Sequence, residues 1–358
     1  MAKKKTNRSK KKPTAKPKNE HASAKDAWVD QPELIRQFIS NRPDYDQLCN
    51  EIAYILKKRL AEQKIEFASI TNRAKTLNSF LEKIQRKAYG EPLGEITDFA
   101  GVRVVSLYVD DLPKIEETIR SEFEVVEKVD KLGDKNVDQF GYGAVHFIVR
   151  LGDSTSGARY DDLKNLKCEI QTRTVLQDAW AIIQHHLVYK NESDVPQILQ
   201  RKLNGLAGLF ETADDQFQSI FNQRNKYVDS VRESTKKPTE FLETKVDVDS
   251  LTEFLRWKFP GTPVQKYEWT VGMISEDMDR RRYRNLGKLD EAIEMTKAQR
   301  NKLGALCDDR IKLDGVVPSA VELAFALGLT DEKFRENGRL GRIRILIEEV
   351  LEDSPIAT

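Results

Sequence analysis

From Pro43 to Leu60, the apolar residues Leu48, Ile52, Ile55 and Leu56 fall on one side of a 3.6-residue period, which predicts an amphipathic helix. The segment Arg73 to Lys87 repeats the pattern with Leu77, Phe80, Leu81 and Ile84, and on its other side Lys75, Ser79, Lys83 and Lys87 recur every four residues. One face packs and the other is a cationic stripe. The spacing then changes to that of strands. A β-branched run, Val102 to Val109, follows Asp98 and Gly101 and reads as a first strand, Ala144 to Leu151 as a second, and Leu166 to Thr172 as a third. Between the first two, Asp110, Asp111 and Pro113 open a helix over Leu112 to Phe123. Along the third strand Glu169, Gln171 and Arg173 alternate with Cys168 and Ile170, so three polar side chains share one face while the others enter the core. Thr174 to Lys190 reads as a helix. The expected fold is α/β, a mixed β-sheet flanked by helices.

Beyond it, Leu199, Leu203, Leu206, Phe210, Ala213, Phe217 and Ile220 advance in alternating steps of four and three, an apolar seam on one long helix. Packing on the α/β domain is the expected use of that seam, and a homo-oligomer contact is the alternative. The pattern breaks around Lys236, Lys237 and Pro238. A mostly helical C-terminal domain is expected to follow, with a helix start at Pro318 and Ser319 and a last helix from Arg342 to Leu351. The domain reading is therefore an arm over 1–27, an α/β domain over 28–235 and a helical domain over 236–358.

Composition changes this picture in two places. The 358 residues carry a net charge of +1, yet residues 1–18 hold nine Lys or Arg and no acid; the remaining 50 basic residues face 58 acidic ones, a net of −8. A basic segment without aromatic residues cannot bury enough apolar surface to fold, so a disordered arm is expected there, either a solubilising tail or a contact for nucleic acid phosphates. Trp180 and Tyr189 read as core. Cys49, Cys168 and Cys307 are far apart and form no C-x-x-C pair, which argues against a disulfide framework or a structural zinc site. No apolar run is long enough for a membrane span or a secretory signal, and a cytoplasmic protein is expected.

Polyphosphate chemistry needs carboxylates to hold magnesium, cations to neutralise phosphate oxygens and positions that hold a base. Asp98 and Glu169 are candidate metal ligands provided their strands are neighbours. The joint pattern is Arg73-x-Lys75, Ser79, Lys83, Asp98-x-x-Gly101-x-Arg103, Gly141-Tyr142-x-x-x-His146, Glu169-x-Gln171-x-Arg173-Thr174, and His185 with Tyr189-Lys190. In that order and spacing it resembles the RelA/SpoT nucleotide pyrophosphokinase domain, particularly the small alarmone synthetases, over roughly Tyr45 to Lys226. The resemblance implies a nucleotidyltransferase-like synthetase fold in which the 3′-hydroxyl of GDP or GTP attacks the β-phosphorus of ATP, giving (p)ppGpp and AMP. It implies that Asp98 and Glu169 hold Mg2+, with Glu169 also placed to activate the hydroxyl. It further implies that Arg73 and Arg103 lie against the two faces of adenine, and that Lys75, Ser79 and Lys83, with Arg86 or Lys87, bind the ATP phosphates. Tyr142 would stack on the acceptor guanine, with His146, Gln171 and Arg173 lining the same cleft and Asp178 and His185 bounding it.

The acceptor loop departs from the family's usual form. Asp138, Gln139 and Phe140 precede Gly141 where a Lys or Arg is usual, and Ala144 stands where a Ser is usual. An Asp there repels the 5′ phosphates of GTP, with Lys131 and Lys135 near enough in sequence to compensate. The departure keeps a second acceptor in view, the 3′-terminal ribose of tRNA, which toxic members of the family pyrophosphorylate to block translation. The basic arm and the run Arg280, Arg281, Arg282 and Arg284 suit an RNA partner, although such runs are usually a solvated helix face. The third reading is a catalytically silent RNA-binding regulator, which retention of both acids and the stripe opposes. Hydrolysis of the product is not expected: the hydrolase domains of longer relatives use several His and a His-Asp pair, whereas none of His21, His146, His185 and His186 precedes an Asp.

Overall fold

The first helix, α1 (Pro32–Glu62), begins eleven residues before the start its apolar pattern predicted, and Pro43 lies inside it. A proline in a helix interior removes one backbone hydrogen bond. Tertiary burial outweighs that loss: Ile35 and Phe38, upstream of Pro43, are buried, and the Phe38 ring stacks on Phe80 at a centroid distance of 4.5 Å. These contacts belong to a computed structural model that describes residues 31–87, 89–130, 143–152, 155–187, 196–262, 268–301, 317–337 and 339–353. The basic arm, the loop carrying Asp138 to Tyr142, and Tyr189, Lys190 and Cys307 lie outside the described residues. The chain divides into two compact units, residues 1–218 and 219–358.

In the first unit a five-stranded sheet is formed by β1 (Phe67–Ala74), β2 (Ala100–Ser106), β3 (Phe123–Asp130), β4 (Val145–Leu151) and β5 (Cys168–Thr174), in the order β1-β2-β5-β4-β3. Strands β2 and β5 run parallel and the other neighbours antiparallel. Two of these strands, β1 and β3, were not expected. Arg73 lies in β1, so the helix expected from Arg73 begins only at Leu77, as α2 (Leu77–Arg86). The change of element occurs at Thr76, whose side chain caps the helix by accepting the Ser79 N–H.

One face of the sheet carries Val102, Val104, Cys168, Ile170, Phe147 and Val149, which pack on Leu48, Ile52 and Leu56 of α1 and on Ile115 and Ile119 of α3 (Leu112–Glu122). Each fully buried aliphatic side chain contributes about 1.5–3 kcal/mol of transfer free energy. Cys49 and Cys168 are free, buried members of this core, as expected of small apolar residues.

The opposite face meets α4 (Val175–Leu187) and the first part of α5 (Gln197–Ser234). Thr174 and Gln177 bond reciprocally at the start of α4, and Thr174 Oγ1 also donates to Asp214 of α5 at 2.6 Å. The seam is used in part: Leu203 and Phe210 pack on Trp180, whereas Leu199, Leu206, Phe217 and Ile220 are exposed. Every inward position on this stretch is one turn from the next, so Ala207, Asp214 and Gln218 join the buried side and the alternating heptad positions turn away.

The second unit is helical. Its helices of ten or more residues include α6 (Val248–Lys258), α7 (Glu268–Asp277), α8 (Leu286–Met295), α9 (Ser319–Thr330) and α10 (Arg342–Asp353). Helix α9 is apolar nearly all round and buried nearly all round, which marks it as the core of the unit. Of the arginine run proposed for RNA, Arg280 donates to the Val246 carbonyl and Ser275, and Arg282 to the Thr330 carbonyl. Those two are tied to backbone of the unit, although all four arginines are exposed.

Candidate active site

The parallel pairing of β2 with β5 places Gly101 opposite Glu169, Arg103 opposite Gln171 and Val105 opposite Arg173. On the flanks Arg73 of β1 faces Gly101, and His146 of β4 faces Gln171. Because strand side chains alternate, Arg73, Arg103, His146, Glu169, Gln171 and Arg173 all stand on one face of the sheet. Gly101 interrupts this row with no side chain, and a cleft of about 270 Å³ opens over it. Its walls include Arg73, Lys75, Ser79, Asp98, Arg103, Glu169 and Gln171. Seven of the residues proposed from sequence therefore line one cavity. Lys83, His146 and Arg173 join it through hydrogen bonds to members of that wall, whereas Tyr142 lies outside the described residues.

Asp98 lies just before β2 and is clasped by two ammonium groups, Lys75 Nζ at 2.7 Å and Lys83 Nζ at 2.8 Å. Lys75 precedes α2 and Lys83 lies in its second turn, and each bonds a different oxygen of the carboxylate. Burial alone would raise the Asp98 carboxyl, but the hydrogen bonds and charges of Lys75 and Lys83 outweigh it and hold the group below the usual carboxylate range. Ser79 sits in the first turn of α2, where the helix end favours anions.

Glu169 receives Gln171 Nε2 at 2.8 Å and contacts His146 Nδ1 at 2.7 Å. Burial pushes its carboxyl up and the neighbouring Asp98 charge does so too, but His146 and Gln171 prevail and the net displacement is downward. An ionised carboxylate only accepts, so Nδ1 of His146 carries the proton. The donor chain continues, for Arg173 Nη2 bonds Gln171 Oε1 at 2.9 Å. Arg173 is buried; desolvation lowers its guanidinium from the ordinary value and the Arg103 charge adds to that, against Asp178 and Glu169.

Arg73 and Arg103 are diagonal neighbours across the antiparallel β1–β2 pair, both on the cleft face. Such neighbours stand roughly 7–8 Å apart at the backbone. Sequence reasoning missed Thr71, Asn72 and Thr76 as wall residues. The cap at Thr76 was readable from Thr-x-x-Ser before an apolar run; the other two follow only from β1. It left Asp178 open between bounding the pocket and packing, and the structure pairs it with Arg103 at 3.0 Å and Arg173 at 3.4 Å. His185 is exposed on α4 with its ring towards His186. Among the described residues no helix is long and apolar enough to cross a membrane.

Residues 72–194 match the family model described as the region found in RelA / SpoT proteins. The chain is 32% identical over 161 residues to the GTP pyrophosphokinase YjbM of Bacillus subtilis (strain 168), covering 44% of this chain and 72% of that relative. It is 27% identical over 156 residues to GTP pyrophosphokinase YwaC of the same organism, covering 42% and 71%. Among solved structures, small alarmone synthetase 1 of Bacillus subtilis bound to its product pppGpp is similar at 27% identity and a TM-score of 0.44, over 52% of this chain and 98% of that one.

Proposed function

The chain belongs to the RelA/SpoT family of pyrophosphokinases, and from that premise we propose that it moves the β,γ-pyrophosphate of ATP to the 3′-hydroxyl of GDP or GTP, releasing AMP. The observation that carries the reading is the single cleft in which two ionised carboxylates, two lysines and a pair of arginines converge. Arg73 and Arg103 bracket the adenine, which planar guanidinium groups do and ammonium groups cannot. Lys75, Ser79 and Lys83 bind the phosphates. On arrival of ATP the two lysines exchange Asp98 for phosphate oxygens, and Asp98 becomes available as a ligand.

The donor set suits magnesium. Among the described residues no group of three or more His, Cys, Asp or Glu is gathered as a closed metal cage; two carboxylates that leave the remaining positions to water and phosphate are what Mg2+ favours. Asp98 and Glu169 would hold it, and bound there it supplies charge neutralisation across the phosphates. Glu169 accepts the proton of the attacking hydroxyl, the new O–P bond forms at the β-phosphorus, and the bond from that phosphorus to the oxygen bridging to the α-phosphate breaks as AMP leaves. His146 and Gln171 hold Glu169 in its ionised form during the approach. Tyr142 provides the stacking surface for the acceptor base. We assign synthesis without hydrolysis, since the chain has no His-Asp pair.

Asp138 in the acceptor loop favours a second reading, transfer to the 3′ end of tRNA, whose acceptor ribose has no 5′ polyphosphate beside it. Purified protein with magnesium and ATP labelled at the γ-phosphate separates the readings when GDP, GTP and deacylated tRNA are offered separately. Label in a guanine nucleotide supports the first, label in tRNA alone replaces it with the second, and no label in any acceptor removes both.

A further inference from the structure

Arg103 and Arg173 carry like charges on one sheet face, diagonal to each other across the parallel β2–β5 pair. Each serves a different side of the cleft. Arg103 lines the wall beside Arg73, and Arg173 donates to Gln171, which in turn donates to Glu169. One oxygen answers both: Asp178 Oδ1 lies 3.0 Å from Arg103 Nη1 and 3.4 Å from Arg173 Nη1. The Nε atoms of both arginines are buried without a partner, so their terminal nitrogens alone set how the guanidinium planes lie. Among the described residues Asp178 is the carboxylate paired with the Arg103 guanidinium.

The placement of this carboxylate is set by the start of α4. It stands in the first turn of α4, where the helix dipole favours an acid, immediately after the turn anchored by the Thr174–Gln177 pair. We propose that Asp178 is a positioning residue that orients Arg103 for the ATP base and holds Arg173 against Gln171, so that one charge aligns the donor platform and the acceptor-side carboxylate. The inference rests on the assignment of the cleft to ATP and an acceptor hydroxyl made above. A guanidinium plane that is fixed before the base arrives loses less freedom on stacking, which is why binding sites support such groups from behind.

The test compares the wild-type chain with Asp178→Asn and Asp178→Glu. Two readouts are needed: steady-state KM and kcat for ATP and for the acceptor, and calorimetric Kd for a non-hydrolysable ATP analogue. The expected result for Asp178→Asn is a KM for ATP and an analogue Kd both raised about tenfold, a smaller fall in kcat, and recovery of most of the affinity in Asp178→Glu. A structural role alone would lower the unfolding temperature and kcat with analogue affinity unchanged, and that result overturns the proposal. So does a change confined to the KM of the acceptor, which would make Asp178 a contact of the acceptor itself. If the wild-type chain transfers nothing to any acceptor, the functional reading fails, while the analogue Kd still decides the role of Asp178.

Discussion

Replacing Asp98 by Asn keeps the shape of the side chain and removes one charge from a site where two ammonium groups already lie within 2.8 Å of it. The amide offers a single oxygen, so its NH2 group must face either Lys75 or Lys83, donor against donor. Breaking a fully buried ion pair costs about 3–5 kcal/mol. Here the three side chains are 13%, 19% and 26% exposed, so water screens part of the interaction and about 1–2 kcal/mol of folding stability is expected to be lost. The effect on transfer is larger. Loss of a carboxylate that would hold magnesium, together with a disordered lysine pair, is expected to lower kcat/KM by about a thousandfold, equivalent to about 4 kcal/mol of transition-state stabilisation. Binding of ATP without magnesium should move the other way. One additional uncompensated positive charge at roughly 8 Å contributes about 0.5–2 kcal/mol per phosphate charge for an effective dielectric between about 80 and 20, so affinity for a metal-free ATP analogue should rise about threefold or more. Initial rates with labelled ATP, and calorimetry in the presence of a chelator, measure the two effects. Turnover of Asp98→Asn within tenfold of wild type would refute the reasoning, as would metal-free analogue binding that falls in step with activity.

The remaining predictions concern other parts of the molecule. Gly101 forms the floor of the cleft, and a Cβ built there meets only the Arg73 carbonyl oxygen at 3.7 Å, an ordinary contact; Gly101→Val should therefore fold with an unfolding temperature near that of wild type yet lose ATP-analogue binding, and retained binding would show that the nucleotide does not lie over this strand. The Asp98 and Glu169 carboxyls are held below their usual range in the folded state, so the stability they contribute is present above the ordinary carboxylate pKa of about 4 and is lost as pH falls through their lower folded values. The rate profile should consequently show no carboxylate limb between about pH 5.5 and 8, and a carboxylate limb in that interval would mean that at least one of the two groups is not ionised as described. In the helical unit a Cβ at Gly328 would come within 2.3 Å of Ile347 Cδ1 inside the core; Gly328→Val should cost about 1–3 kcal/mol, read as a lower unfolding temperature, and an unchanged value would mean that α9 and α10 pack less closely than the structure has them.

Much of the site was readable from spacing because its residues obey simple periods. Glu169, Gln171 and Arg173 alternate with core residues on β5, and that alternation alone put three polar groups on one face. Asp98 and Glu169 required one further fact, that β2 and β5 are neighbours, which no local pattern contains. Strand β1 was hidden because the four-residue repeat of Lys75, Ser79, Lys83 and Lys87 suggests a helix reaching back to Arg73, and its edge position leaves only Ile70 and Ala74 buried, with a weak alternation. Thr76 decides the matter by capping α2, so Arg73 belongs to the sheet and Lys75 to the turn. Strand β3 was masked for a different reason: the adjacent pairs Val125–Val126 and Glu127–Lys128 break the alternation where the register shifts, next to a helix end, and its pairing partner β4 lies more than ten residues downstream. The double pairing of Asp178 depends on the β2–β5 register and on where α4 begins, both of them tertiary facts.

The central claim is the transfer itself. A phosphorus NMR time course of the wild-type chain with ATP, magnesium and GDP reads donor, leaving group and product at once. The account predicts that ATP resonances fall as AMP and a new pyrophosphate on the guanosine ribose grow in equal amounts. Formation of ADP and inorganic phosphate, or of AMP with free pyrophosphate and no modified guanosine, would contradict it.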